Sequence, residues 1–143
     1  MIRDAALSLS QRRVCASAAL GPLLRRAGGE LGVAPRATFV VRLTDDATVR
    51  ELNARFLDDD HATDVLAFPG GGATLSPAAH MGDVAISIER AMAQSDDGAA
   101  ELRLLAVHGL LHCLGYDHAD RQDAARMTQL TRDMLPEQTI PDL

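Results

Sequence analysis

The chain has 143 residues, 47% of them hydrophobic, which suits one domain with a single apolar core over residues 1–143. Its two cysteines do not suggest a disulfide framework, and no apolar stretch is long enough to span a bilayer. A net charge of −6 argues against broad nucleic-acid binding, and 3% aromatic residues without tryptophan argue against a base-stacking platform.

We expect a cytoplasmic protein with reduced thiols and no signal peptide. All 14 basic residues are arginine, and residues 1–50 carry eight of them against four acidic residues. Arginine suits bidentate contacts with phosphate. The same excess also suits a solvated surface, so both interpretations of the N-terminal third stay open.

The N-terminal region predicts a short strand within residues 1–9 and then a helix over residues 10–27. Ser10 is the expected N-cap of this helix. Pro22 is expected to kink the helix or to split it in two, because proline removes an N–H donor from the helix interior. Gly28 and Gly29 are expected to end it.

Residues 37–46 alternate as a strand does, with Phe39, Val41 and Leu43 on one face. Thr44, Asp45 and Asp46 then provide capping side chains for a helix. The further elements follow in chain order: a helix over 47–57, strands over 63–69 and 82–90, a helix from about 88 to 95, an apolar helix over 99–114 and an amphipathic helix over 120–135.

This order predicts an α+β fold, in which a small mixed four-stranded sheet has helices packed on its faces. Residues 99–114 are apolar around most of the helix circumference, so this helix is expected to be buried at the domain centre. Gly115 is expected to end it as a C′ glycine.

The central helix leads into HGLLHCLGYDH, residues 108–118, which holds three of the five histidines. His108 and His112 are four residues apart and therefore share one helix face. Gly115 allows the chain to reverse and to bring His118 back. Each buried imidazole needs a partner, and one metal ion satisfies all three.

We therefore predict that His108, His112 and His118 bind one metal ion. Three neutral nitrogen ligands suit zinc (Zn²⁺), with nickel, copper and iron as alternatives. Three protein ligands leave a position for water, whose pKa falls to about 7 on zinc, as in catalytic sites. A fourth ligand from His61 or His80, both otherwise expected in exposed loops, would make the site structural.

Two neighbours of the histidines limit the chemistry. The spacing matches the zinc helix of metzincin proteases, but Gly109 occupies the position of their glutamate general base. Losing that proton shuttle costs about 10²–10⁴ in rate. Cys113 lies about 100° around the helix from His112, so we expect its thiol to pack in the core.

The motif at 108–118 resembles the H-G-x-L-H-x-x-G-Y-D-H signature of the YbeY-type endoribonucleases. Residues 51–53, 63–69 and 82–87 are similar to further segments of that family, in the same order, and Met127 also has a counterpart. The resemblance implies a zinc-dependent, cytoplasmic, single-strand-specific endoribonuclease in 3′-end maturation of small-subunit rRNA and in ribosome quality control. Its implied partners are that rRNA and the ribosome or its assembly proteins, without a membrane.

The chain departs from the family at positions that bear on activity. The family usually has Tyr-Arg where this chain has Phe56 and Leu57, and a leucine makes no charged contact with phosphate. Arg55 is close in sequence but lies on a different helix face. Thr131 replaces a glutamate. These differences leave the histidine motif intact and bring the rate or the substrate into question.

Asp117, the carboxylate nearest to His118, is the candidate catalytic residue. It orients a histidine, carries a proton, or simply forms a turn, and the sequence leaves these roles open. Asp83, Thr63, Asp64 and Tyr116 are weaker candidates of the same kind. The paired arginines at 12–13 and 25–26 are candidates for an RNA-facing surface on the first helix.

Two other functions remain. One is a zinc peptidase with an atypical general base, and the other is a non-catalytic, zinc-containing ribosome-assembly factor. Cleavage of peptide rather than RNA would favour the first. A metal site closed by four protein ligands would favour the second.

Overall fold

A computed structural model describes residues 2–3, 7–56, 63–70, 80–116 and 120–140 of the chain. Four strands are present in this part: β1 (Ile2–Arg3), β2 (Thr38–Thr44), β3 (Val65–Pro69) and β4 (His80–Ser87). Six helices accompany them: α1 (Leu9–Ala18), α2 (Leu20–Glu30), α3 (Asp46–Phe56), α4 (Ile88–Gln94), α5 (Gly98–Cys113) and α6 (Arg121–Met134).

The strands form one mixed sheet in the order β1-β2-β4-β3. β2 is parallel to β1 and β4, whereas β3 runs antiparallel to β4 and forms one edge. The register between β2 and β4 shifts by one residue after Thr38, so that Phe39 pairs with Gly82. This mixed sheet with surrounding helices confirms the α+β class.

The main core lies between one face of the sheet and α5. The side chains of β2 and β4 that face it include Val41, Leu43, Val84 and Ile86, each no more than 1% exposed. The predicted alternation of β2 is confirmed, because apolar side chains of this strand point to the core at every second position. α5 also contacts α1, α2, α4 and α6, which confirms that it is the buried central helix.

The opposite face of the sheet is covered by α3. Val49 of this helix is fully buried against Leu66 of β3 and Ala85 of β4, which form a second, smaller core. Phe56 lies at the end of α3, and its side chain is 60% exposed.

The beginning of the first helix differs from the prediction. The N-cap is Ser8, not Ser10: its hydroxyl accepts from the backbone N–H of Gln11, and the Gln11 side chain accepts from the backbone N–H of Ser8. This reciprocal pair satisfies two donors that the helix leaves unpaired, so it outcompetes a cap without a matching residue three positions later.

The predicted helix over residues 10–27 is in fact two helices. The chain breaks at Ala19, which has φ 48° and ψ 52°, and not at Pro22. Pro22 lies in the first turn of α2, where an N–H has no helical partner to lose. α2 then continues through Gly28 and Gly29 to Glu30, so the predicted end was three residues early.

The central helix ends as predicted. Gly115 has φ 95°, its N–H donates to the His112 carbonyl at 3.0 Å, and the Tyr116 N–H donates to the Leu111 carbonyl at 3.0 Å. These two bonds form a Schellman motif, which needs a residue of positive φ at the C′ position. The helix therefore ends at Cys113, directly after His112, and the chain turns at Gly115.

A close approach of α5 to the sheet depends on Gly109. A Cβ atom built on this residue would lie 2.7 Å from Cγ1 and 2.8 Å from Cγ2 of Val84. These distances are too short for any side chain, so the helix backbone can rest on β4 only with glycine here. Among the described residues, no helix has both the length and the apolar character that crossing a bilayer requires.

We predict that Gly109→Ala lowers the free energy of unfolding by about 1–3 kcal/mol, because the added methyl overpacks the contact with Val84. Val84→Ala removes atoms at the same contact. The double variant should therefore lose less free energy of unfolding than the sum of the losses in the two single variants. Urea denaturation of the four proteins measures this coupling, and strictly additive losses would contradict the contact.

Candidate metal centre

His108 and His112 converge on the exposed side of the buried helix α5. Their ring centroids are 4.5 Å apart with an interplanar angle of 72°, and the two Nε2 atoms are 2.9 Å apart. Both side chains are only partly buried. The i,i+4 spacing that the sequence places on one helix face therefore brings two ring nitrogens to a single point.

The pair has two chemical options at this distance. One neutral imidazole donates its Nε2–H to the other Nε2, or both present lone pairs to a shared cation. With Zn–N bonds of about 2.0–2.1 Å, two ligands of a tetrahedral zinc ion lie roughly 3.3 Å apart. The observed separation is close to that value, so the two nitrogens fit a zinc ion after a small rotation of the rings.

Two of the predicted site residues, Asp117 and His118, lie outside the described residues, as does His61. Within the described ranges, no group of three or more histidine, cysteine or acidic residues is arranged to hold a metal. The structure therefore brings His108 and His112 together and leaves the three-histidine site a prediction.

Gly109 explains why this helix lacks the protease base. A glutamate at position 109 would start from a Cβ that overlaps Val84, beneath the helix, while the two histidines lie on a different face. The chain therefore has no room for a side chain at that position. The absence of the base is a packing requirement of the fold as well as a difference in sequence.

Cys113 packs in the core, as predicted. Its side chain is 6% exposed, and a Cβ built on Gly82 would lie 2.7 Å from its Sγ atom. Burial raises the pKa of the Cys113 thiol to about 11, the nearby Asp83 carboxylate adds to this increase, and a hydrogen bond with the Phe68 backbone opposes it. A neutral, enclosed thiol is a poor metal ligand.

His80 is not in a loop, which corrects the prediction. It is the first residue of β4, and its Nδ1 atom lies 2.7 Å from the Thr38 hydroxyl while its Nε2 atom lies 3.0 Å from Asp83 Oδ2. The β2–β4 pairing, which joins residues distant in sequence, creates this position. Asp83 likewise lies within a strand and not in a turn.

The other weak candidates have structural contacts. The Thr63 hydroxyl lies 3.5 Å from the Val65 carbonyl, and the Asp64 carbonyl accepts from the Ser87 N–H at 2.9 Å. The hydroxyl of Thr131, where the family tends to have glutamate, is buried and donates to the Met127 carbonyl at 2.8 Å.

Tyr116 makes a cation–π contact, in which the Arg126 guanidinium lies 5.7 Å from the ring centroid. This contact gives the ring a local packing partner on α6.

The arginine pairs do not share one helix face, which corrects the prediction. Arg12 belongs to α1 and donates from Nε to the Leu7 carbonyl at 3.2 Å. Arg26 belongs to α2 and donates to the Met134 carbonyl at 2.8 Å. The break at Ala19 separates the two pairs. One arginine of each pair donates a hydrogen bond to a backbone carbonyl.

Together these observations define an α+β protein with two convergent histidines on its central helix, at a spacing that metalloproteins use. A sequence profile of the family described as Endoribonuclease YbeY matches residues 10–138. The chain therefore belongs to the YbeY endoribonuclease family.

Individual relatives agree with this assignment. The chain is 41% identical over 118 residues to "Endoribonuclease YbeY" of Rhodopseudomonas palustris (strain BisA53), which covers 74% of this chain and 66% of that protein. It is 37% identical over 145 residues to the protein of the same name from Chelativorans sp. (strain BNC1), which covers 97% and 83%.

The fold is also similar to a solved structure. The solution structure of TM1509 from Thermotoga maritima matches with a TM-score of 0.56 and 21% sequence identity. The match covers 96% of this chain and 91% of that one. At this identity the similarity supports the fold alone.

We predict that Cys113 reacts slowly with iodoacetamide in the folded protein between pH 7 and 9, since a thiol of pKa about 11 is almost wholly protonated there. In urea the same cysteine should react fast, because its pKa returns to about 8.5. Peptide mapping by mass spectrometry follows the modification. A reactivity midpoint near pH 8.5 in the folded protein would contradict this environment.

Burial, and then the Asp64 carboxylate, raise the pKa of Glu101 on α5. The folded protein thus holds this proton more tightly than the unfolded chain, and the ionised carboxylate opposes folding at neutral pH. We predict that Glu101→Gln raises the free energy of unfolding at pH 7 by less than about 1 kcal/mol, since the group is partly exposed.

This gain should disappear below about pH 4, where the carboxyl group is protonated in both states. Denaturant unfolding at several pH values measures it, with Glu51→Gln on the exposed side of α3 as the matched control. An equal increase in the free energy of unfolding of Glu51→Gln would mean that the change in net charge alone causes the effect.

Proposed function

We propose that this protein is a zinc-dependent, single-strand-specific endoribonuclease that acts in 3′-end maturation of small-subunit rRNA and in ribosome quality control. The observation that carries the proposal is the 2.9 Å convergence of the His108 and His112 Nε2 atoms in a chain of the YbeY endoribonuclease family. The proposed partners are that rRNA and the ribosome or its assembly proteins, in the cytoplasm.

His108 and His112, together with His118, are the proposed zinc ligands. Each must be neutral to bind through a lone pair, and the rigid helix α5 holds the first two in place. When bound, zinc polarises a phosphoryl oxygen and makes water acidic enough to attack at neutral pH.

The remaining chemistry is assigned to the chain and to its substrate. Asp117 is the proposed catalytic residue, as an acceptor for a histidine N–H or as a carrier of the proton that leaves the nucleophile. A phosphodiester provides its own oxygens for charge stabilisation, so the missing glutamate at position 109 harms RNA cleavage less than peptide cleavage. Water and the substrate 2′-hydroxyl are both suitable nucleophiles.

We predict that His112→Ala loses bound zinc and lowers cleavage of single-stranded RNA by at least about 100-fold, because removing a ligand dismantles the site. His80→Gln is the matched control, since this histidine lies on β4 with partners of its own. Elemental analysis, an RNA cleavage assay and thermal melting are measured on each protein. A His112→Ala protein with normal zinc and cleavage would contradict the proposal.

The same assays separate the two alternatives. A peptidase would cleave a denatured protein substrate and leave RNA intact. An assembly factor with a structural zinc ion would cleave neither, and zinc loss in His112→Ala would lower its melting temperature strongly. The proposal requires instead that activity falls far more than stability.

A further inference from the structure

A groove lies on the sheet face opposite α5, beside the end of α3. We call it the outer groove, and its volume is about 460 Å³. It is lined by residues of α3 and of three neighbouring strands: Val40, Arg42, Leu52, Phe56, Phe68, Asp83, Val84 and Ala85. Most of this lining is apolar, and the charged side chains among the described lining residues are one arginine and one aspartate.

Two of the three phenylalanines of the chain meet at this groove. The rings of Phe56 and Phe68 pack edge to face with centroids 6.0 Å apart. Phe56 is 60% exposed, although its partner is only partly so. An exposed aromatic ring held by a second ring presents apolar surface at a fixed orientation, which is what a stacking ligand requires.

Two arginines lie close to these rings. The Arg55 guanidinium lies 5.3 Å from the Phe56 ring centroid, and Arg42 forms part of the groove wall. Asp83, the acidic residue among the described lining residues, already contacts His80 Nε2 at 3.0 Å. Arginine beside an aromatic ring matches the phosphate and the base of a nucleotide, whereas an apolar peptide offers no anionic group to a guanidinium.

We propose that the outer groove is a nucleobase subsite for the RNA substrate. One unpaired base stacks on the Phe56 ring against Phe68, and its adjoining phosphate contacts Arg55. This inference rests on the proposed function, since it assigns the groove to the same RNA. A ring in this place discriminates between single and double strands, because a base inside a duplex has no free face to offer.

The test compares variants with and without an aromatic ring at position 56. Phe56→Leu keeps an apolar side chain without a π face, Phe56→Tyr keeps the ring, and Leu9→Ala on α1 is the control for an exposed apolar residue. Binding of a short labelled single-stranded RNA to the full chain is followed by fluorescence anisotropy. Cleavage kinetics and thermal melting are recorded for every variant.

We expect Phe56→Leu to weaken RNA binding roughly tenfold and to raise KM by the same factor at unchanged kcat, because a stacked base contributes to ground-state and transition-state binding alike. Phe56→Tyr and Leu9→Ala should bind as the wild type does. Replacing the contacted base by an abasic residue should abolish the difference between wild type and Phe56→Leu.

Each contrary result overturns the inference. The first is that Phe56→Leu binds RNA with wild-type affinity, and the second is that Phe56→Tyr loses as much affinity as Phe56→Leu. The third is that wild type and Phe56→Leu still differ in affinity for every abasic RNA. The fourth is that the wild type does not bind RNA. Self-association that disappears in Phe56→Leu would assign the groove to a second copy of the chain.

The cleavage assay keeps this inference separate from the proposed function. RNA cleavage without dependence on Phe56 refutes the subsite and leaves the nuclease in place. Binding that depends on Phe56 without any cleavage refutes the nuclease and keeps the subsite.

Discussion

The contact between α5 and β4 is the constraint on which the rest of the structure depends. The helix backbone rests on Val84 at Gly109, and the thiol of Cys113 fills the space left by Gly82. A helix held this closely cannot rotate about its axis without a clash, because protein interiors are packed at crystal-like density. Its rotation fixes the direction of His108 and His112, so the geometry of the pair is a property of the core.

The histidine pair and the end of its helix could be predicted because both depend on local spacing. A separation of four residues places two side chains on one helix face, and a glycine after an apolar helix supplies the positive φ that a Schellman motif needs. The α+β class followed in the same way from the order of periodic segments. None of these predictions required knowledge of which strands are neighbours.

The predictions that were wrong concern choices between similar local options or contacts between distant segments. Ser8 and Ser10 are both good capping residues, and only the Gln11 side chain decides between them. The sequence predicted a loop at His80 because its partner Thr38 is 42 residues away. The outer groove could not be predicted for the same reason, since β2, α3, β3 and β4 each contribute part of it.

The central position of α5 has a consequence for how the site responds to heat. This helix contacts both β3 and β4 and four other helices, so it belongs to the part of the chain that opens last. The distance between the two imidazoles should therefore hold until the domain melts as a whole. Inactivation at high temperature then becomes a cooperative event shared with unfolding, not a gradual loosening of the site while the rest of the molecule stays intact.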